Sequence, residues 1–270
     1  MSPETDPVFT LHRGTRPLLV SVPHAGTAIP SELHADLAPR ALDVEDTDWF
    51  LDRLYAFAVD MGASLIVPRH SRYVVDLNRP PENTPMYPGV NNTELVPTRF
   101  FTGEPLYRAG REPCEDEVRR RVATYWRPYH DALAGELTRL RAAHGHAVLF
   151  DGHSIQSRLP WLFEGELPAL NLGTVAGTSC APALRERLAA VLAAQQRFSH
   201  VVDGRFKGGY ITRHYGRPQE GWHAVQMEMC WHCYMAEALP ARWDDTGAEP
   251  ARQLLRKLAQ AMLDWRPDAG

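Results

Sequence analysis

Two short apolar runs each deliver a histidine at their far end, and this pattern restricts the fold more than any other feature of the chain. Leu18-Leu19-Val20-Ser21-Val22-Pro23 runs into His24, and Val148-Leu149-Phe150-Asp151-Gly152 runs into His153. Apolar runs of this length read as strands covered on both faces, the situation of a parallel sheet in an α/β protein. In open α/β sheets ligands bind beyond the carboxyl ends of the strands, so polar side chains delivered there converge on one crevice.

The rest of the chain fits that frame. Further strands are expected over 63–67, 73–77, 169–172, 200–203, 210–213 and 224–228, alongside 18–22 and 147–150. Helices are expected over 46–61, 115–144, 181–195 and 249–265. In the longest of them Val118, Val122, Tyr125, Tyr129, Leu133, Leu137 and Leu140 recur every three or four residues, Pro128 introduces a kink, and Trp126 and Tyr129 read as core. Alternating strands and helices predict a mixed or parallel sheet with helices packed on it. The segment 79–113 is rich in Pro, Asn, Thr and Gly and has no period, which marks a long functional loop. At 270 residues the chain has the size of one large α/β domain, so 1–270 is expected to form a single catalytic unit.

Composition narrows the partners. A formal charge of −4 gives no electrostatic footprint for nucleic acid, and no Lys or Arg block suits an anionic membrane. The polar start of the chain and the lack of a long apolar run point to a soluble cytoplasmic protein acting on a small molecule, as a monomer or homodimer. Cys114, Cys180, Cys230 and Cys233 are expected to be reduced, and Cys230-Trp-His-Cys233 lacks the second pair of a structural zinc site. Gly208-Gly209 lacks the spacing of a phosphate loop and suits a turn or a close backbone approach.

A catalytic zinc site needs three protein ligands and an open position. His24 and His153 are the first two candidates, each flanked by small residues that leave room for an ion and a substrate. A carboxylate should complete the set, and Glu45, Asp46 and Asp48 lie together in the next segment. Asp48 is the preferred ligand, Asp46 the alternative, and an N-cap is the plainer role for Asp46. Glu228 ends an otherwise apolar strand, which suits a partly desolvated general base. Arg79 follows a buried run, and its planar fork suits a substrate carboxylate.

Taken together, Val20 to Gly26, Asp46-Thr47-Asp48-Trp49, Ser71 to Pro80, Tyr125 to His130, Asp151 to Ile155, Leu170 to Thr174, Gly204 to Gly216 and His223 to Glu228 resemble the N-formylglutamate amidohydrolase family in order along nearly the whole chain. The resemblance implies a three-layer α/β/α fold with a mixed, mostly parallel sheet, related to zinc carboxypeptidases and aspartoacylases. It also implies hydrolysis of N-formyl-L-glutamate to formate and L-glutamate, a late step of histidine breakdown, with Zn2+ or another divalent metal as cofactor. Within it, Asn78 and Arg79 resemble a carboxylate-binding pair, His153 a metal ligand and Glu228 the general base. The wider group places a glutamate three residues after its first histidine, where this chain has Thr27, so Asp48 enters by inference. Arg72 is the candidate cation for the oxyanion. A substrate with two carboxylates asks for a second cationic group, for which Arg213 joins Arg79. Removal of a different acyl group from an acidic amino acid is the alternative activity.

Overall fold

The structure, a computed structural model, describes residues 7–84 and 92–267, so part of the loop expected over 79–113 lies outside the described residues. Among the described residues seven strands form one sheet: β1 (Phe9–His12), β2 (Leu18–Ser21), β3 (Ser64–Pro68), β4 (Ala147–Ile155), β5 (Leu170–Gly173), β6 (His200–Val202) and β7 (Trp222–Cys230), in the order β1-β3-β2-β4-β7-β5-β6. β2–β3, β2–β4, β4–β7 and β5–β6 run parallel, whereas β1 on β3 and β5 on β7 run antiparallel. The sheet is therefore mixed and mostly parallel.

Strand alternation divides the core into two faces. Leu18, Val20, Val148, Phe150, Val225 and Met227 pack with the helices α5 (Pro182–Ala193) and α7 (Asp245–Asp264). Leu19, Ile66, Ala147, Leu149 and Ala224 pack with α4 (Arg127–His144) on the other side. Burial on both faces gives the three layers, and it explains why the central strands are continuously apolar rather than alternating.

Several expected elements take a different form. The helix expected over 46–61 is reduced to α1 (Leu51–Leu54) and α2 (Phe57–Asp60), because Val44 and Phe50 take left-handed backbone angles that keep 44–50 irregular. No helix starts at Asp46, so it caps none. The long helix is present as α3 (Glu115–Arg121) and α4, joined by a π-turn over Val122–Trp126 immediately before Pro128, whose missing N–H disfavours regular pairing there. The run 73–77 is buried but forms turns, not a strand. Its apolar side chains are consumed in packing beneath the long helix, where Trp126 Nε1 donates to the Arg79 carbonyl (3.0 Å) and His130 Nε2 to the Leu77 carbonyl (2.8 Å). Residues 210–213, expected as a strand, lie in α6 (Tyr210–Tyr215). The edge strand β1 has only four residues in a polar segment and carries no sequence signal strong enough to find it.

Candidate active site

The site forms at the carboxyl ends of β2, β4 and β7. β4 and β7 pair in register, so His153 stands beside Glu228 and Asp151 beside Gln226 on one face of the sheet. His24 follows β2, and the irregular 44–50 segment brings in Asp48, whose backbone N–H donates to the His24 carbonyl (3.1 Å) while its Oδ2 accepts from the Ser154 N–H (3.1 Å).

His24, Asp48 and His153 each offer one ligand atom within 4.8 Å of the others, and all three are buried. Asp48 Oδ2 lies 3.6 Å from His24 Nδ1 and 3.3 Å from His153 Nδ1, and the two Nδ1 atoms lie 3.2 Å apart. Behind the rings stand two more carboxylates. His24 Nε2 donates to Asp76 Oδ1 (2.7 Å) and His153 Nε2 to Asp151 Oδ2 (3.0 Å). Because a carboxylate only accepts, each Nε2 carries the proton, which leaves both Nδ1 lone pairs facing each other and the Asp48 carboxylate. Such a convergence demands positive charge at its centre. Two imidazoles oriented by carboxylates, with a third carboxylate in front, are a donor set that fits a divalent metal.

The electrostatics agree. Burial opposes ionisation of Asp48, but His24 and His153 hold its carboxyl well below the usual carboxylate range. Asp76 is likewise held low against the cost of burial, by His24, Arg72 and Arg79. Burial disfavours a charged His153, yet Asp151 and Asp48 raise its proton affinity well above the ordinary histidine value. Glu228 moves the other way. Burial, aided by Asp48 and opposed by His153, pushes its carboxyl up to about 8, while its Oε2 accepts from Gln226 Nε2 (3.1 Å).

His24, Asp48, His153 and Glu228 line a cavity of about 100 Å³ together with Arg72, Asn78, Arg79 and Arg205. Arg72 Nη2 donates to Asp76 Oδ2 (2.6 Å), its Nη1 lies 3.7 Å from Asp48, and its guanidinium stacks 4.6 Å over Phe101. Its Nε is buried and has no acceptor among the described residues. The Asn78 amide nitrogen lies 3.1 Å from His153 Nε2, and its Oδ1 accepts from the Ile211 N–H (2.8 Å) at the start of α6. Gly209 permits this approach, since a Cβ there would fall 2.2 Å from Asn78 Nδ2. Arg79 is fixed by Thr93, which takes Nε on its carbonyl (2.9 Å) and Nη2 on its hydroxyl (2.5 Å).

The structure thus brings together His24, Asp48, His153, Glu228, Arg72, Asn78 and Arg79. Two sequence candidates lie apart from this group. Arg213 lies exposed on α6, a helix rather than a strand end, with Nε on the Gly208 carbonyl (2.9 Å), and it does not line the cavity. Asp46 sits apart from the histidines, where its Oδ2 accepts from Tyr73 Oη (2.8 Å) and the Phe101 N–H (2.9 Å) and burial pushes its carboxyl up to about 6. Asp76 and Asp151 were missed, although each is a charged residue inside an apolar run, and such residues are rarely buried without a partner. Arg205 was missed because a loop arginine carries no local signal.

An α/β sheet that gathers a His-Asp-His set, a buried carboxylate and several arginines into one cavity is the constellation of a hydrolytic enzyme. Comparison with known proteins is more specific. A sequence model of N-formylglutamate amidohydrolases matches residues 16–235. The chain is 48% identical over 260 residues to an N-formylglutamate deformylase of Pseudomonas aeruginosa, covering 96% of this chain and 97% of that one, and 46% identical at the same coverage to one of Pseudomonas putida. The crystal structure of an N-formylglutamate amidohydrolase from Ralstonia eutropha has a TM-score of 0.78 at 25% identity, covering 95% and 97% of the two chains. An Agrobacterium tumefaciens structure, 17% identical over 94% of each chain, shares the fold with a TM-score of 0.71. The chain belongs to the N-formylglutamate amidohydrolase family.

Proposed function

We propose that this enzyme hydrolyses the formamide bond of N-formyl-L-glutamate to formate and L-glutamate, the reaction of a late step in histidine breakdown, with a divalent metal, zinc by preference. The observation that carries the metal is the pair of Nδ1 atoms 3.2 Å apart in front of Asp48, each ring backed by its own carboxylate. The substrate follows from the family and from the arginines in the cavity. A divalent ion held by His24, Asp48 and His153 would supply Lewis acidity toward the formyl carbonyl and toward water.

The remaining roles belong to the chain itself. Glu228, desolvated so that its proton affinity lies near neutrality, takes a proton from the attacking water and returns it to the departing amine nitrogen. Arg72, clamped by Asp76 at the cavity wall, offers its guanidinium to the oxygen that becomes negative as the carbonyl is attacked. Asn78 and Arg79, held by α6 and by Thr93, receive a substrate carboxylate.

The test is formate release from N-formyl-L-glutamate by the purified protein, before and after chelation and after zinc is restored. Release should require the metal. Glu228→Gln should retain bound metal and lose turnover by about 100- to 10,000-fold. Full activity after complete metal removal would refute the metal-dependent reading, and faster turnover of N-acetyl-L-glutamate would transfer the assignment to another acyl group.

A further inference from the structure

We infer that Arg205 selects for an acidic side chain on the substrate by binding its distal carboxylate at the outer end of the cavity. This rests on the proposed formamide hydrolysis and names the residue that sets its substrate preference. Among the described residues three arginines line the cavity, and their surroundings differ. Arg72 is engaged with Asp76 and Asp48 at the ligand end. Arg79 is held by Thr93, next to the Asn78 that touches His153. Arg205 stands among aromatic side chains, its guanidinium 5.0 Å from the Phe163 ring and 6.0 Å from Phe206, with Nη2 donating to the Leu162 carbonyl (2.5 Å).

Those neighbours belong to a small apolar cluster separate from the two faces of the main core: Phe101, Ile155, Leu159 and Phe163, with Leu162 and Phe206 packed against them. Most of its members also line the cavity. An apolar wall suits the methylene groups of a glutamyl side chain, and its low polarisability strengthens the attraction of a nearby guanidinium for a carboxylate.

Arg205 is exposed, yet the loop that carries it is tied to the sheet. The amide of Asn171 accepts from the Phe206 N–H (3.3 Å) and donates to the Phe206 carbonyl (2.6 Å). Asn171 lies on β5 directly opposite Glu228 on β7. On the other flank Asp203, in a left-handed backbone conformation, accepts from the Thr174 N–H and hydroxyl (both 2.6 Å) and pairs with Arg185 (3.1 Å). The backbone that carries Arg205 is therefore tied to the strand beside the candidate base, as a group that measures side-chain length and charge requires.

The experiment compares kcat and KM of wild type, Arg205→Met and Arg205→Lys on N-formyl-L-glutamate and on N-formyl-L-glutamine, its uncharged isostere. In Arg205→Met the ratio of kcat/KM for the acid over the amide should fall on the order of 10- to 100-fold, mainly through KM, with Arg205→Lys retaining part of the preference. Equal losses on both substrates, as a packing role for Arg205 would give, overturn the assignment, and so does an unchanged ratio. Thermal unfolding of both variants verifies that the loop substitution leaves the fold intact. A wild type that releases no formate from either compound overturns the proposed function along with this assignment; an active wild type with an unaltered ratio in the variants overturns this assignment alone.

Discussion

Two pairs of buried histidines occupy opposite ends of the sheet, and the contrast between them shows what separates a candidate ligand from a packing ring. His24 and His153 stand at the carboxyl ends of β2 and β4, each with Nε2 on a buried carboxylate. His146 precedes β4 and His223 lies near the start of β7, both packed edge-on against Trp265 with ring centroids 5.4 and 4.6 Å away. No carboxylate backs them, and their Nε2 atoms have no hydrogen-bond partner among the described residues. Burial lowers the proton affinity of both, that of His223 to about 4, whereas Asp151 and Asp48 raise that of His153 against the same burial. Burial alone makes a neutral packing ring; a carboxylate behind the ring fixes the tautomer and makes its other nitrogen a base.

The comparison breaks most severely if the first pair is dispensable. His153→Ala should lose stoichiometric metal and at least about 1,000-fold in formate release, measured by metal analysis and steady-state rates. Removing only the carboxylate behind a ring should cost less. Asp76→Asn should weaken metal affinity by about 10- to 100-fold in a competition titration with a chelator, and an unchanged affinity would sink the orienting role of Asp76.

At the other end the readout is stability. The folded value of His223 lies below its ordinary 6.5, so the unfolded chain binds more protons and stability is lost as pH falls from about 6.5 toward about 4. At pH 5 the loss is about 1 kcal/mol once partial solvation halves the full linkage value, or about 2 °C in Tm for a chain of this size. Melting curves between pH 4.5 and 7.5 should show a shallower acid slope in His223→Phe. The smallest effect is expected at Arg213, where replacement by Ala should alter kcat/KM by less than about twofold, because its side chain lies outside the cavity. A larger change would restore it as a substrate group.

The parts of this architecture that were legible in the sequence are those fixed by local pattern. β2, β4 and β7 are apolar runs ended by polar residues, and α4 is a long helical period, so the sheet, its layers and the residues at its carboxyl ends could be read in advance. The 73–77 run misled because β-branched and aromatic residues serve a buried turn segment as well as a strand when a helix covers them. Residues 210–213 misled because α6 is a single short element whose first N–H groups are set by Gly209 and Asn78, a tertiary contact no local window contains. The choice between Asp46 and Asp48 depended on the irregular backbone between Val44 and Phe50, and Arg205 became visible only once Asn171 tied its loop to the sheet.

The register of β4 on β7 places His153 and Glu228 side by side, and strand spacing sets their backbones about 5 Å apart. The proposed base and one candidate ligand thus hang from the paired centre of the sheet, while Asn78, Arg79 and Arg205 hang from loops. If Arg205 reads the substrate's acid as proposed, substitutions around Phe163 and Arg205 redirect which acid is accepted without disturbing the paired strands, so preference and chemistry are free to evolve at different rates.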